Sequence, residues 1–280
     1  MKTRAKITTI SLKTLMYIFL VIIGFISVLP IFWVLISSFK TTREIMTSPL
    51  ALPTSINFDG YVTALTISPL FKFMGNSVFI AIAATILNLV FMGMAAYVFA
   101  RVKSKVINLL LALLSVSLFI PITSLIQPIY KVMGSIGLYD TKFGLILVYT
   151  AIGIPITLFV LRSFFLTIPK EIEESAYIDG ASFIRTFFTI TVPIARPGFA
   201  TAAIIQFINC WNEFLFALTL TSSEESRTLP LVLNYFTSMF SYDYTALFAA
   251  ITMIILPSII VFVALQEQVV SGLSAGSVKG

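Results

Sequence analysis

Residues 171–198, EIEESAYIDGASFIRTFFTITVPIARPG, are the most polar long interruption in a chain that is otherwise nearly all apolar. They carry Glu171, Glu173, Glu174, Asp179, Arg185 and Arg196 between two apolar runs. A charged segment in that position reads as a loop between membrane spans, and this one contains helix signals. Pro169 suits the first turn of a helix, where its missing N–H costs nothing. Glu171, Glu173 and Glu174 then fall near the helix N-terminus, where negative charge complements the macrodipole. Asp179-Gly180 is a stop, because glycine accepts the left-handed backbone. Ser182 is placed to cap a second short helix. Phe183, Phe187 and Ile190 lie along one side of that helix, and Pro193 and Pro197 end it. The expectation is helix, sharp turn, helix. Ser175, Ala176, Gly180 and Ala181 are small enough for a partner's backbone to approach closely.

The composition around this segment sets the class. Of 280 residues 58% are hydrophobic and 11% charged, with mean hydropathy +1.02; soluble domains carry about 25% charged residues. A polytopic all-α membrane protein is expected. There is no histidine and Cys210 is the single cysteine. That excludes a Ser-His-Asp triad, a Cys/His zinc site and an internal disulfide.

Six spans are read from the apolar runs. Leu15–Ser37 reaches about 34 Å at ~1.5 Å per residue, enough for a ~30 Å hydrocarbon core. It is long for a signal-peptide core and has no small-x-small cleavage site, so it is expected to be retained. The second span is Asn76–Ala100. The third is Val106–Ile126, with a kink at Pro121. A short loop at 127–142 precedes the fourth span, Phe143–Phe165, which Gly153 and Pro155 interrupt. The fifth span is Phe199–Leu220, and a loop at 221–244 leads to the sixth, Ala246–Gln266, with Pro257 inside it. Residues 1–71 read as an added tail, span and outer loop, and 72–280 as a five-span core. Prolines 121, 155 and 257 mark either hinges or prolines that a membrane helix tolerates.

Six spans put both termini on one side. Twelve of the eighteen Lys and Arg residues lie in the N-terminal segment, at 101–105, at 162–196 and in the tail. The positive-inside rule therefore places the termini and the 171–198 loop in the cytoplasm.

Glu174-Ser175-Ala176, Gly180, Ile190 and Val192-Pro193 resemble the EAA loop of bacterial ABC importer permeases. That loop has Glu-Ala-Ala, a glycine six after the Glu, then Ile-x-Leu-Pro; Ser175 stands for the first Ala and Val192 for the Leu. The resemblance extends to Asn76-Ser77, Ala96-Tyr97, Phe99-Ala100-Arg101, Trp211-Asn212-Glu213-Phe214, Arg227-Thr228-Leu229-Pro230 and the glycine-rich tail. It points to the carbohydrate-uptake branch, the second permease subunit of maltose-type and glycerol-phosphate-type importers. It implies the type I ABC importer permease fold in a bacterial inner membrane. It also implies a heterodimer with a second permease, two ATPase subunits that use ATP and Mg, and an extracytoplasmic sugar-binding protein. In such a system Glu174, Ser175, Ala176, Asp179, Gly180, Ala181, Ile190 and Pro193 dock a coupling helix into the ATPase. No glycine here is followed by lysine, so the chain has no phosphate loop of its own. No cofactor, metal, nucleic acid or enzymatic site is expected in it.

Span five holds the polar residues that need explaining. Gln206, Asn209 and Glu213 sit at i, i+3 and i+7, within about 60° on a helix face; Trp211 and Asn212 lie elsewhere on it. A carboxylate inside a span costs ~2.5–3.5 kcal/mol at its centre on insertion scales and faces a bundle interior or water. These residues line a translocation pathway or bond neighbouring helices. In the pathway reading amides and carboxylate meet sugar hydroxyls, and Glu213 favours a neutral oligosaccharide over an anionic one. An ion-coupled transporter or channel using Glu213 is the alternative.

Overall fold

The computed structural model describes residues 2–236 and 243–277, and every element among them is helical. The α-helices run α1 (Lys2–Ser37), α2 (Thr42–Thr47), α3 (Asp59–Ile67), α4 (Leu70–Arg101), α5 (Lys105–Ser117), α6 (Ile126–Ser135), α7 (Lys142–Ile152) and α8 (Ile154–Thr167). They continue with α9 (Lys170–Ile178), α10 (Phe183–Thr186), α11 (Val192–Ile194), α12 (Arg196–Asn212), α13 (Leu215–Leu220) and α14 (Tyr244–Ser277). Three helices are apolar and long enough to cross a membrane: Lys13–Ser37 of α1, Leu70–Arg101, and Tyr244–Ala264 of α14. Three bent pairs of helices, each counted as one span, bring the number by length and composition up to six. The polytopic all-α reading holds.

The chain forms two compact units. The first is Met1–Ser68 with Leu233–Ile255. Its α1 exposes its apolar side chains from Leu15 to Phe32, as a helix bathed in lipid does. Beyond α1 the chain folds back on polar contacts. The Trp33 indole donates to the Pro49 carbonyl at 2.8 Å, and its ring meets the edge of Phe248. The buried Lys40 ammonium donates to the Ser48 and Pro49 carbonyls at 3.2 and 3.0 Å. Glu44 completes a capping box with Thr41 at the start of α2. Its exposed carboxyl is pulled down to about 2, chiefly by the Thr54 hydroxyl and then by the backbone N–H of Thr41 and Thr54.

The second unit is Pro69–Val232 with Leu256–Gly280, built around α4. Buried Leu70, Phe73, Ser77, Ile80, Ala84 and Asn88 recur every three or four residues along it, the period of one helix face. That face packs on α7, α8 and α12. α12 in turn packs closely on α8: at Gly198 an added Cβ would land on the Phe164 ring. At the far end of α4, Tyr97 lies in a core with Leu158, Leu161, Phe165 and Phe187.

Several expectations need correction. The third span does not run unbroken to Ile126. α5 stops at Ser117, and the chain bends by 101° between it and the helical stretch Ile122–Ser135. Pro121 has no N–H with which to carry the ladder through. Residues 127–142 are mostly helical, as α6, rather than a short loop. The fourth span breaks where Gly153 and Pro155 were read to interrupt it, with a 50° bend. The fifth does not run from Phe199 to Leu220: α12 ends at Asn212, and Glu213 is extended with φ −69° and ψ 126°. Glu213 therefore does not share a helix face with Gln206 and Asn209. Nor do Pro193 and Pro197 end the second short helix. A π-helical turn, Phe187–Thr191, leads through Pro193 to Ile194, and Pro197 opens α12. Both prolines sit at first-turn positions where no N–H is required. α14 continues through Gly272 and Gly276 of the glycine-rich tail; Gly280 and part of the 221–244 loop lie outside the described residues.

Candidate functional site

Two places in the second unit gather the residues singled out by the sequence. The first is the polar 171–198 segment. α9 ends on a glycine turn as expected: Gly180 has φ +82°, and the Ala181 N–H closes back to the Ala176 carbonyl at 2.9 Å. Ser182 then caps α10 by accepting from the Arg185 N–H. Glu174, Ser175, Asp179 and Gly180 are exposed, Ala181, Ile190 and Pro193 half-buried, and Ala176 buried. Beside them stand exposed apolar side chains, Ile178 at 86% and Ile184 at 68% exposure.

What holds this segment is a residue the motif does not include. Glu173, read as one of three first-turn acids, is buried. Its carboxylate accepts from Arg101 Nε at 2.8 and 2.9 Å and pairs with Arg101 Nη2 at 2.7 Å. The Tyr97 hydroxyl donates to it at 3.2 Å and the Thr191 hydroxyl at 3.4 Å. Arg101 also donates to the Ile168 carbonyl at 3.1 Å. Tyr97 stacks near Phe183 and Phe187, with centroids at 4.8 and 5.0 Å. The end of α4 thus grips α9, the start of α10 and the π-turn together. Tyr97 and Arg101 are polar groups four apart at the end of an apolar helix, and that spacing was the available signal.

The second place is a cavity of about 270 Å³ bounded by α7, α8, α12 and α13. Tyr149, Gln206, Asn209, Cys210 and Glu213 line it, with Ile122, Ile152, Ile156 and Phe216 as apolar wall. The structure therefore brings Gln206, Asn209 and Glu213 together despite the break in the helix. Trp211 is buried, stacked on Phe207, and Asn212 is exposed; neither lines the cavity. Glu213 explains the break. It accepts from the backbone N–H of Phe216 at 2.7 Å and of Ala217 at 2.9 Å, supplying the first turn of α13 with acceptors. The Tyr149 hydroxyl donates to it at 2.8 Å. The buried Gln206 amide donates to the Tyr149 carbonyl at 2.9 Å and fills the space that glycine leaves at 153.

A third cluster ties two loops together. Asp140, at φ +56°, accepts from the N–H and hydroxyl groups of Ser222 and Ser223 at 2.9–3.2 Å. Partial burial raises its carboxyl, but those donors outweigh it and hold the group below the ordinary carboxylate range. A group held low stabilises the fold above the ordinary carboxylate range and loses that contribution as pH falls through the lowered value. Acid should therefore loosen the 221–227 loop, and Asp140→Asn should mimic acid at neutral pH. Amide hydrogen exchange at Ser222 and Ser223 should accelerate several-fold in the variant; unchanged protection would remove this role from Asp140.

Comparisons with known proteins agree with this architecture. The family model described as binding-protein-dependent transport system inner membrane component matches residues 91–274. The chain is 35% identical over 262 residues to the diacetylchitobiose uptake system permease protein NgcG of Streptomyces coelicolor, covering 93% of this chain and 87% of that protein. It is 34% identical over 261 residues to the trehalose transport system permease protein SugB of Mycobacterium tuberculosis, covering 92% and 94%. A solved bacterial ABC transporter for import of the acidic polysaccharide alginate superimposes with TM-score 0.77 at 21% identity, over 90% of this chain and 94% of that one. That likeness is one of fold.

Proposed function

Because this chain belongs to the binding-protein-dependent transport system inner membrane components, we propose that it is the permease subunit of an ATP-driven importer that moves a sugar, an oligosaccharide in particular, into the cytoplasm. The observation that carries this reading is the α9–α10 segment. It presents Glu174, Asp179, Gly180 and exposed Ile178 and Ile184 outward while Glu173 and Arg101 anchor it to the span behind. An apolar, small-residue surface of this kind suits docking into a groove. A separate pair of ATPase subunits would occupy it and use ATP and Mg. The 171–198 loop and both termini are cytoplasmic in this reading, which the Lys/Arg distribution supports.

Relatives named for diacetylchitobiose and trehalose support a sugar as cargo. A solved alginate transporter complexed with a periplasmic protein supports a binding protein that delivers it. A second, related permease completes the pair. Gln206, Asn209 and Glu213 would line the path, with Trp211 and Asn212 on the same stretch. Glu213 is held by three neutral donors, which suits a fixed element of the path better than an ion-coupling site.

The test is a pull-down from detergent-solubilised native membranes. The tagged chain should recover a second permease and an ATPase with a phosphate loop. Gly180→Leu should keep the permease and lose most of the ATPase, with uptake falling in parallel. A Cβ at 180 meets nothing within 4 Å among the described residues, so its local cost is the left-handed backbone strain of about 1–2 kcal/mol. Full ATPase recovery and uptake by that variant would end the docking reading.

A further inference from the structure

We propose that the 270 Å³ cavity is a charge filter. It accepts an uncharged, hydroxyl-rich ring and turns away ligands bearing a carboxylate, sulfonate or phosphate. The proposal rests on the reading of this cavity as part of the sugar path.

Its lining contains one carboxylate, that of Glu213, and neither lysine nor arginine. The donors that hold Glu213 are two backbone N–H groups and a phenol. They orient the carboxylate without bringing a compensating cation. A carboxylate offers about four acceptor positions; three are taken, leaving one for a ligand hydroxyl. Gln206 spends its N–H groups on the Tyr149 carbonyl and Cys210, while its Oε1 accepts from no group among the described residues. The Asn209 amide is exposed at the cavity, with no partner among the described residues. Free acceptors therefore outnumber free donors. A polyol, rich in O–H, complements that set, and the Ile122, Ile152, Ile156 and Phe216 walls suit the C–H faces of a sugar ring. An anionic group has only acceptors to offer and brings a like charge. A sphere of this volume is about 8 Å across, and at an effective dielectric of ~20 a second negative charge at that distance is disfavoured by roughly thirtyfold.

Cys210 provides the probe, because it is the only cysteine in the chain and it lines this cavity. The assembled transporter in membrane vesicles would be treated with three methanethiosulfonates, carrying a trimethylammonium-ethyl, a hydroxyethyl and a sulfonatoethyl group. Each forms a disulfide with the Cys210 thiolate and releases methanesulfinate, and mass spectrometry of the Cys210 peptide gives the rates. Rates are normalised to a small thiol in solution, with and without ATP. The sulfonate reagent should react at least about tenfold more slowly than the ammonium reagent. Glu213→Gln should bring the two within about twofold, whereas Tyr149→Phe, which keeps the charge, should preserve the ratio. Labelling without discrimination in the unmodified transporter would overturn the filter and leave the path reading standing. A ratio unmoved in Glu213→Gln would remove Glu213 as its source. If no reagent reaches Cys210 in either nucleotide state, the path reading falls and the filter with it.

Discussion

Replacing Arg101 by alanine should reduce uptake by about a hundredfold or more per molecule in the membrane. The argument starts from burial. Arg101 and Glu173 side chains are 8% and 5% exposed, and theirs is the only buried ion pair among the described residues. Removing one partner of such a pair leaves an uncompensated charge and costs about 3–5 kcal/mol. Here the cost falls on one segment, because Glu173 is the contact through which α9 is seated on α4. Solvating Glu173 requires α9 to lift away, so the seated form becomes a minor population. Arg101→Lys keeps the charge but loses the planar fork, and should fall between. Arg101→Met with Glu173→Leu should recover much of the loss, since an apolar pair of similar volume replaces a buried ion pair at little cost. That non-additivity distinguishes seating from general damage. The readouts are uptake, membrane abundance, and ATP hydrolysis with and without the loaded binding protein. Normal uptake by the alanine variant would refute the seating role.

Gly153→Leu should cut uptake at least about tenfold while leaving membrane abundance near normal. An added Cβ at 153 lands inside the space of the Gln206 amide. That amide is the far end of a flexible side chain, so it can be pushed aside without the backbone yielding. Its bond to the Tyr149 carbonyl breaks, and both the displaced amide and the new leucine enter the cavity. Gly153→Ala should show a milder form of the defect, and Gln206→Ala added to it should relieve the crowding. Uptake that tolerates leucine at 153 would show that cargo does not pass this cavity.

Much of the architecture was legible because membrane spans are read from length and apolarity alone. The helix-turn-helix of 170–186 was legible for a different reason. Gly180 and Ser182 act within their own turns, and local chemistry suffices to place them. The residues that escaped are those whose role depends on a distant partner. Glu171, Glu173 and Glu174 are equivalent as first-turn acids, and only the packing of α9 against Arg101, 72 residues away, singles out Glu173. Arg101 itself was counted as one more cytoplasmic cation. The break at Glu213 escaped because Phe199–Leu220 is apolar at most positions and long enough to span as one helix. The carboxylate ends the helix by serving the N–H groups of Phe216 and Ala217 and the hydroxyl of Tyr149, and that last partner is remote in sequence. Gln206, Asn209 and Glu213 still line one cavity, although the helix assumed to carry them is not continuous and Trp211 and Asn212 lie away from it.

The short α5 bears on how this chain enters the bilayer during synthesis. Thirteen residues, Lys105–Ser117, extend about 20 Å, well short of the ~30 Å hydrocarbon layer. As it leaves the ribosome, α5 cannot bridge the membrane as a self-sufficient hydrophobic segment. The Leu118–Pro121 corner and the Ile122–Ser135 helices must accompany it, and a corner exposes backbone groups that lipid cannot satisfy. Insertion of the third span is therefore a joint event of α5, the corner and the helical stretch beyond it, rather than the partition of one hydrophobic segment.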